Sequence, residues 1–448
     1  MYRALRRCTA LLGLLAAGCS GDSGSASDTQ ASTQSATTDA AGSSSSATAG
    51  TTAAGTTSGT TAGGATTSES SSSGATAETT ATTVGTTGTT GTTGTTGGDG
   101  SVSSVAAGDR HSCAIVDGSV YCWGRNQDGQ LGDGTTEDRL TPTPVPSITE
   151  AVALAAGGAA TCASMFPGDL YCWGSNEWGQ LGDNSQVDSP APVQVLSIGH
   201  AERLAAGAYH GCAVEDGLAR CWGANEGRLG NGESALSEVP VDMVETNGVV
   251  GVATGWGHSC ARLDDGRARC SGTYNAWGQL GDGTSDDTLT PVDVLGLTDA
   301  EQITAGLYHT CALLPDATIV CWGNNQNGQL GQGISDQDVH GSPEPVPGLT
   351  DVAEVRAGGF HTCARLGSGE VACWGSGPAV GVPLGEWSYA PTMIAGVSDA
   401  VALAAGGEHN CVALGSGGVA CWGANESGQL GDGTTEERTS ATAVVGLP

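Results

Sequence analysis

Hydrophobic and polar positions divide the chain into three unlike stretches. Near the start an apolar run, "ALLGLLAAG", follows Arg3, Arg6 and Arg7. Residues 20–100 are then Ser, Thr, Ala and Gly nearly throughout, ending in "GTTGTTGTTGTTGG". From Ser101 to Pro448 apolar residues return in short runs rich in Val and Thr, broken by Gly, Asp and Asn, with no helical period. Runs of this length bounded by turn residues predict short antiparallel strands. "TPVDVLGL" (Thr290–Leu297) leading into "DAEQITAG" (Asp299–Gly306) is one such pair.

The strands recur on a fixed period. The core pattern is A-G-x-x-H-[ST]-C-A, a short turn, then C-W-G-x-N-x-x-G-Q-L-G-D-G-T. Its first cysteine falls at Cys113, Cys162, Cys212, Cys260, Cys311, Cys363 and Cys411, at intervals of 49, 50, 48, 51, 52 and 48 residues. Seven β-rich copies of this length, each burying its neighbour's face, predict an all-β fold: a seven-bladed β-propeller of four-stranded antiparallel blades over residues 101–448. The chain stops at "SATAVVGLP" and the repeats begin at "GSVSSVAAG", the two complementary parts of a blade junction. Pairing of the N- and C-terminal strands is therefore expected to close the ring.

The first two stretches concern location. Residues 1–18 read as a secretory signal peptide, basic then apolar then small. Its end, "LLAAGCS", resembles a bacterial lipobox, with Ala16 where leucine is usual, and this implies lipidation of Cys19. Residues 19–100 offer almost nothing to bury and are expected to form a disordered stalk whose ends lie about 50 Å apart. The expected location is outside the cytoplasm: the cell envelope or outer membrane surface as a lipoprotein, or the medium. The only membrane attachment expected is the lipid.

Charge removes one class of function. The chain has no lysine, 15 arginines and 47 acidic residues, for a net charge of −32. Nucleic-acid binding requires neutralisation of phosphates by basic residues, so it is excluded.

Sixteen cysteines, less Cys8 and Cys19, leave two per copy. In the first copy Asp117-Gly118 is a favoured two-residue hairpin turn, and counting outward from it Cys113 faces Cys122 at a non-hydrogen-bonded pair, where side chains approach most closely. Asp216-Gly217 does the same for Cys212 and Cys221. Four copies use a spacing of ten and a three-residue turn ending in Gly168, Gly266, Gly369 or Gly417, which restores the register for Cys162–Cys172, Cys260–Cys270, Cys363–Cys373 and Cys411–Cys421. The fifth, Cys311–Cys321, carries Ala317 in place of that glycine, so its turn should be strained. Turn length and cysteine spacing change together, as cross-strand disulfides need, and an oxidising compartment would preserve them. Each should contribute about 2–3 kcal/mol.

The same cluster could supply half a zinc site, but a fourth ligand is missing and the second copy keeps both cysteines with Ala160 in place of histidine. His111, His210, His258, His309, His361 and His409 occupy one repeat position, as scaffold residues do, and no catalytic residue, metal or cofactor is expected. Trp123, Trp173, Trp222, Trp322, Trp374 and Trp422 should wedge between blades, with Ser271 in the fourth copy. Asp133, Asp282 and Asp432 of "GDGT" are turn formers, since one carboxylate per loop is too few for calcium.

The motif, in seven copies, resembles the regulator of chromosome condensation repeat family. That resemblance implies a seven-bladed propeller closed by its termini. The family's eukaryotic founder promotes nucleotide exchange on a small GTPase through loops and an inserted wedge. Intervals differing by only four residues leave no room for such an insertion here. Other members bind proteins, including exported bacterial propellers. A photoreceptor branch carries Gly-Trp-Arg-His-Thr on its dimer face, which "GWGHS" (Gly255–Ser259) matches once and in part. The sixth copy departs most: "CWGSGPAVGVPLGEW" (Cys373–Trp387) lacks the N-x-x-G-Q-L-G-D-G loop, so its rim should be altered.

The two variable positions of G-x-x-H carry aromatics in copies three to six, consecutively: Tyr209, Trp256, Tyr308 and Phe360. In an aromatic-poor chain, an unbroken arc on one face has the character of an interface hot spot, although the rings could instead plug the central channel. The reading is a monomeric, non-enzymatic, surface-tethered propeller that binds a protein, or a glycan, through this arc. The alternative is a guanyl-nucleotide exchange factor-like regulator of a small GTPase.

Overall fold

The computed structural model describes residues 101–448; the predicted signal peptide, Cys19 and the stalk lie outside the described residues. Seven four-stranded antiparallel sheets follow in chain order, each taking its strands in sequence from the inside outward. In blade 1 these are Val102–Ala107, His111–Val116, Ser119–Gly124 and Arg139–Pro144. The second strand is buried at every position and the outermost is wet, so the core lies between the middle strands of adjacent blades.

The hairpin register is the expected one. Val116 faces Ser119 and Cys113 faces Cys122, with Cα atoms 4.1 Å apart. All seven predicted disulfides form. Asp117 and Gly118 have φ of 47° and 78°, and Asp216 and Gly217 52° and 74°, the left-handed pair that a two-residue turn requires. Ala317 adopts φ 61° where its counterparts are glycines, which costs a residue with a Cβ about 1 kcal/mol. Asp133, Asp282 and Asp432 close their turns by accepting the backbone N–H of Thr135, Thr284 and Thr434.

Each junction between blades repeats one set of contacts. The six tryptophans are fully buried. Each indole N–H donates to a backbone carbonyl of the preceding blade, as Trp173 does to Gln130 at 3.0 Å and Trp222 to Gln180 at 2.9 Å. Where blade 4 has Ser271 instead, Met243 stands in the place that Val195 and Val294 hold elsewhere, and both side chains pack beside Gly230. A longer side chain thus occupies part of the volume the indole leaves.

At six of the seven junctions a histidine reaches across to the next blade. Nε2 of His111 lies 2.8 Å from the Thr161 hydroxyl, and His210, His258, His309 and His409 meet Ser259, Thr310, Thr362 and Ser112 in the same way; His361 meets Oδ1 of Asn410. Thr161 donates onward to the carbonyl of Gln130, so its oxygen accepts from His111. Burial pushes the imidazoles down to about 3 at His111, His210, His309 and His409, and to about 4 at His258 and His361, so they are neutral packing groups. Between blades 2 and 3 both partners are gone together. Ala160 replaces the histidine, Gly211 replaces the hydroxyl, and the Trp222 ring takes the space, so close that a Cβ on Gly211 would lie 2.7 Å from it.

The expected pairing of terminal strands does not occur. Val102–Ala107 pairs only with His111–Val116, and Arg438–Ala443 only with Val419–Gly423. The chain ends fall at the connection between one blade's outermost strand and the next blade's innermost, so each terminus completes its own sheet. Blades 7 and 1 then meet through the ordinary junction. Trp123 donates to Gln429 at 2.9 Å, His409 meets Ser112 at 2.8 Å, and Gly407 N–H donates to Gly108 at 3.0 Å.

Candidate partner-binding face

The A-G-x-x-H turn and the loop after the third strand lie at the same end of every blade, because the histidine pairs in register with the glycine of C-W-G. A backbone bond pins one to the other. The carbonyl just before the histidine accepts the N–H that opens the loop: Tyr209 from Ala224, Tyr308 from Asn324 and Phe360 from Ser376. This face therefore has a fixed backbone and variable side chains.

The four predicted aromatics come together. Ring centroids are 6.5 Å apart for Tyr209–Trp256, 5.4 Å for Trp256–Tyr308 and 6.4 Å for Tyr308–Phe360. Each ring is half-buried. The central channel is lined by the Ala and Gly of the turns, with Asp109, Thr254 and Leu307, so the arc runs beside its mouth. Burial, with Tyr274 and Tyr209 adding to it, raises the Tyr308 phenol above its ordinary value and keeps it a neutral hydrogen-bonding group.

Three members of the arc were not among the predicted residues. Trp178, 43% exposed, extends it at the blade 2 end, 6.3 Å from Tyr209. Tyr274, 51% exposed, packs 4.8 Å from Trp256. Arg228 lies against Trp256 with its guanidinium 5.8 Å from the ring centroid, donates from Nε to the Trp256 carbonyl at 3.2 Å, and pairs with Glu226 at 3.0 Å. It fixes the tryptophan in place, and the cation–π contact adds roughly 0.5–2 kcal/mol. Irregularities in the sequence mark two of the three. Arg228 replaces the glutamine of G-Q-L-G, and Tyr274 sits in a loop one residue longer than that of blade 1, at φ 59°.

Among the described residues no three His, Cys, Asp or Glu side chains are placed to hold a metal. The hairpin sulfurs are consumed in disulfides, which removes them as ligands or nucleophiles.

Residues 14–347 match the family described as the RCC1-like domain, and residues 352–378 and 400–429 match the regulator of chromosome condensation (RCC1) repeat. The chain is similar to the ultraviolet-B receptor UVR8 of Arabidopsis thaliana, 30% identical over 64% of this chain and 55% of the receptor. It is also similar to a probable human E3 ubiquitin-protein ligase, HERC6, 34% identical over 36% of this chain and 16% of the ligase. It thus spans about half of the one and less than a fifth of the other. Among solved structures, Prp20p of Saccharomyces cerevisiae shares the fold at TM-score 0.66 and 23% identity, covering 73% of this chain and 86% of that one. Human WBSCR16 does so at 0.62 and 23%, covering 70% and 88%.

Proposed function

The chain belongs to the RCC1-like domain family, and we propose that it is a non-enzymatic, monomeric binding propeller that captures a protein partner on its aromatic face. The observation that carries this reading is the continuous line of rings from Trp178 to Phe360, half-buried and held by backbone bonds and by Arg228. Rigid aromatics at the centre of a face lose little entropy on binding, and they dominate interface energetics. Prp20p, a structural relative, is described as binding Gsp1p and histones, which is in keeping with a propeller that holds proteins. Export by the signal peptide and tethering through Cys19 would present this face outside the cell on the stalk.

The test is affinity capture from envelope and secreted fractions by the wild-type chain and by a chain with alanine at Tyr209, Trp256, Tyr308 and Phe360. Loss of the captured proteins with the variant, while the fold is retained, is the expected result; equal capture by both would remove the proposal. Similarity to Prp20p also motivates the second reading, regulation of nucleotide exchange. Stimulated nucleotide release from a small GTPase would favour that reading instead.

A further inference from the structure

Blade 6 breaks the pattern, and what it leaves open adjoins the end of the arc. In place of the usual loop it has a short 3-10 turn, Pro378–Val380, and a following segment in which Leu384 is 64% exposed. Two adjoining cavities lie here on the arc face. One is walled by Phe360 and Leu307 and the other by Leu384, while Glu408, Ala424 and Glu426 border both. Together they form one groove continuous with the aromatic line.

The groove combines the apolar side chains of Leu307, Phe360 and Leu384 with a negative rim. Asp109, Glu408, Glu426 and Glu437 line it with one cation, Arg110, which is held by Glu426 at 3.0 Å and Asp109 at 3.8 Å, while Arg125 also acts on Asp109 from nearby. Glu408 has no ion pair among the described residues. Burial, with Asp109 and Glu426 behind it and Arg110 opposing, raises the Glu408 carboxyl above its ordinary value. Negative charge in the lining thus outnumbers the cation set against it.

A second feature is independent of charge. Gln180, Gln279 and Gln329 each donate their side-chain N–H to Ser175, the Tyr274 carbonyl and Asn324, at the start of their own blade's loop. In blades 1 and 7 that place falls at Arg125 and Ala424, neither of which has a side-chain acceptor. Gln429, only 2% exposed, lines the groove and accepts from Ser427 N–H through Oε1, while among the described residues its Nε2 donates to no partner. A backbone carbonyl entering the groove would accept from this amide.

We propose that this groove seats an extended segment of the partner that carries an arginine or lysine, with the cationic head among Glu408, Glu426 and Asp109 and a main-chain carbonyl on Gln429. The inference rests on the reading of the arc as a partner-binding face, since Phe360 belongs to both. The chain's net charge of −32 would speed the approach of such a segment at low salt.

A random peptide display library selected on the full-length chain tests this. Recovered peptides should be enriched in arginine or lysine beside apolar residues. In fluorescence anisotropy their affinity should fall roughly thirtyfold when the basic residue becomes citrulline or norleucine, and by a similar factor with Glu408→Gln/Glu426→Gln. Asp109→Asn serves if the double variant does not fold. Peptides that lack basic residues, or that bind the acidic-site variants unchanged while losing affinity for the four-alanine chain, overturn the inference and leave the arc proposal standing. Recovery no better than that from the four-alanine chain overturns both.

Discussion

The A-G-x-x-H turn buries its histidine on the inner side, in the junction between blades. It presents the two residues before it on the outer side, at the channel mouth and the arc, and the two sides obey different rules. Inside, a substitution either comes with a change in the residue it packs against, as Ala160 does with Gly211 and Ser271 with Met243, or keeps the hydrogen bond, as Asn410 does for His361. Outside, the same positions hold Asp109-Arg110 in one blade and Leu307-Tyr308 in another, on a turn whose backbone is unchanged. The contrast separates residues that answer to a neighbouring blade from those free to answer to another molecule.

The largest expected effect lies on the inner side. Unfolded histidines take up a proton near pH 6.5, while the buried ones hold out to about 3 or 4. Between those values the unfolded chain binds up to six more protons, so stability falls as pH is lowered, by as much as about 1.4 kcal/mol per histidine per pH unit. Above pH 6.5 this contribution is flat, and below about 3 the loss is complete. Urea unfolding at pH 7, 6, 5 and 4 would measure it, and a curve level from 6.5 to 4 would contradict the junction as described.

A smaller effect probes the junction that lacks the histidine. Gly211→Ser restores the residue type found in other blades, yet it should destabilise by roughly 1–3 kcal/mol, because Trp222 already fills that space. A higher urea midpoint would mean that the ring and the lost hydroxyl do not compete. Smallest of all, Ala317→Gly should raise stability by roughly 0.5–1 kcal/mol through relief of the left-handed strain, and an unchanged melting temperature would argue against strain there.

Much of this architecture was legible in the chain. Blade number and disulfide register follow from local spacing, since a hairpin's turn length determines which cysteines face. The mode of closure was not, because a shared blade and a complete one differ only in where the termini sit relative to a blade-to-blade connection. Half of the face was legible for a similar reason. Tyr209 and Phe360 occupy a repeat position that can be compared across copies, whereas Trp178, Arg228, Tyr274 and Gln429 belong to loops that reach the face only once the blade has folded.

The complete terminal blades bear on the topology of the ring. Each disulfide lies within one hairpin and none crosses from blade to blade. Covalently the propeller is a linear string of seven buckled links, and its circularity is entirely non-covalent. The seam between blades 7 and 1 is fastened by the same clasp as the other junctions, so the ring has no privileged start. Had the chain begun at any other blade-to-blade connection, the same closed shape would have been within reach.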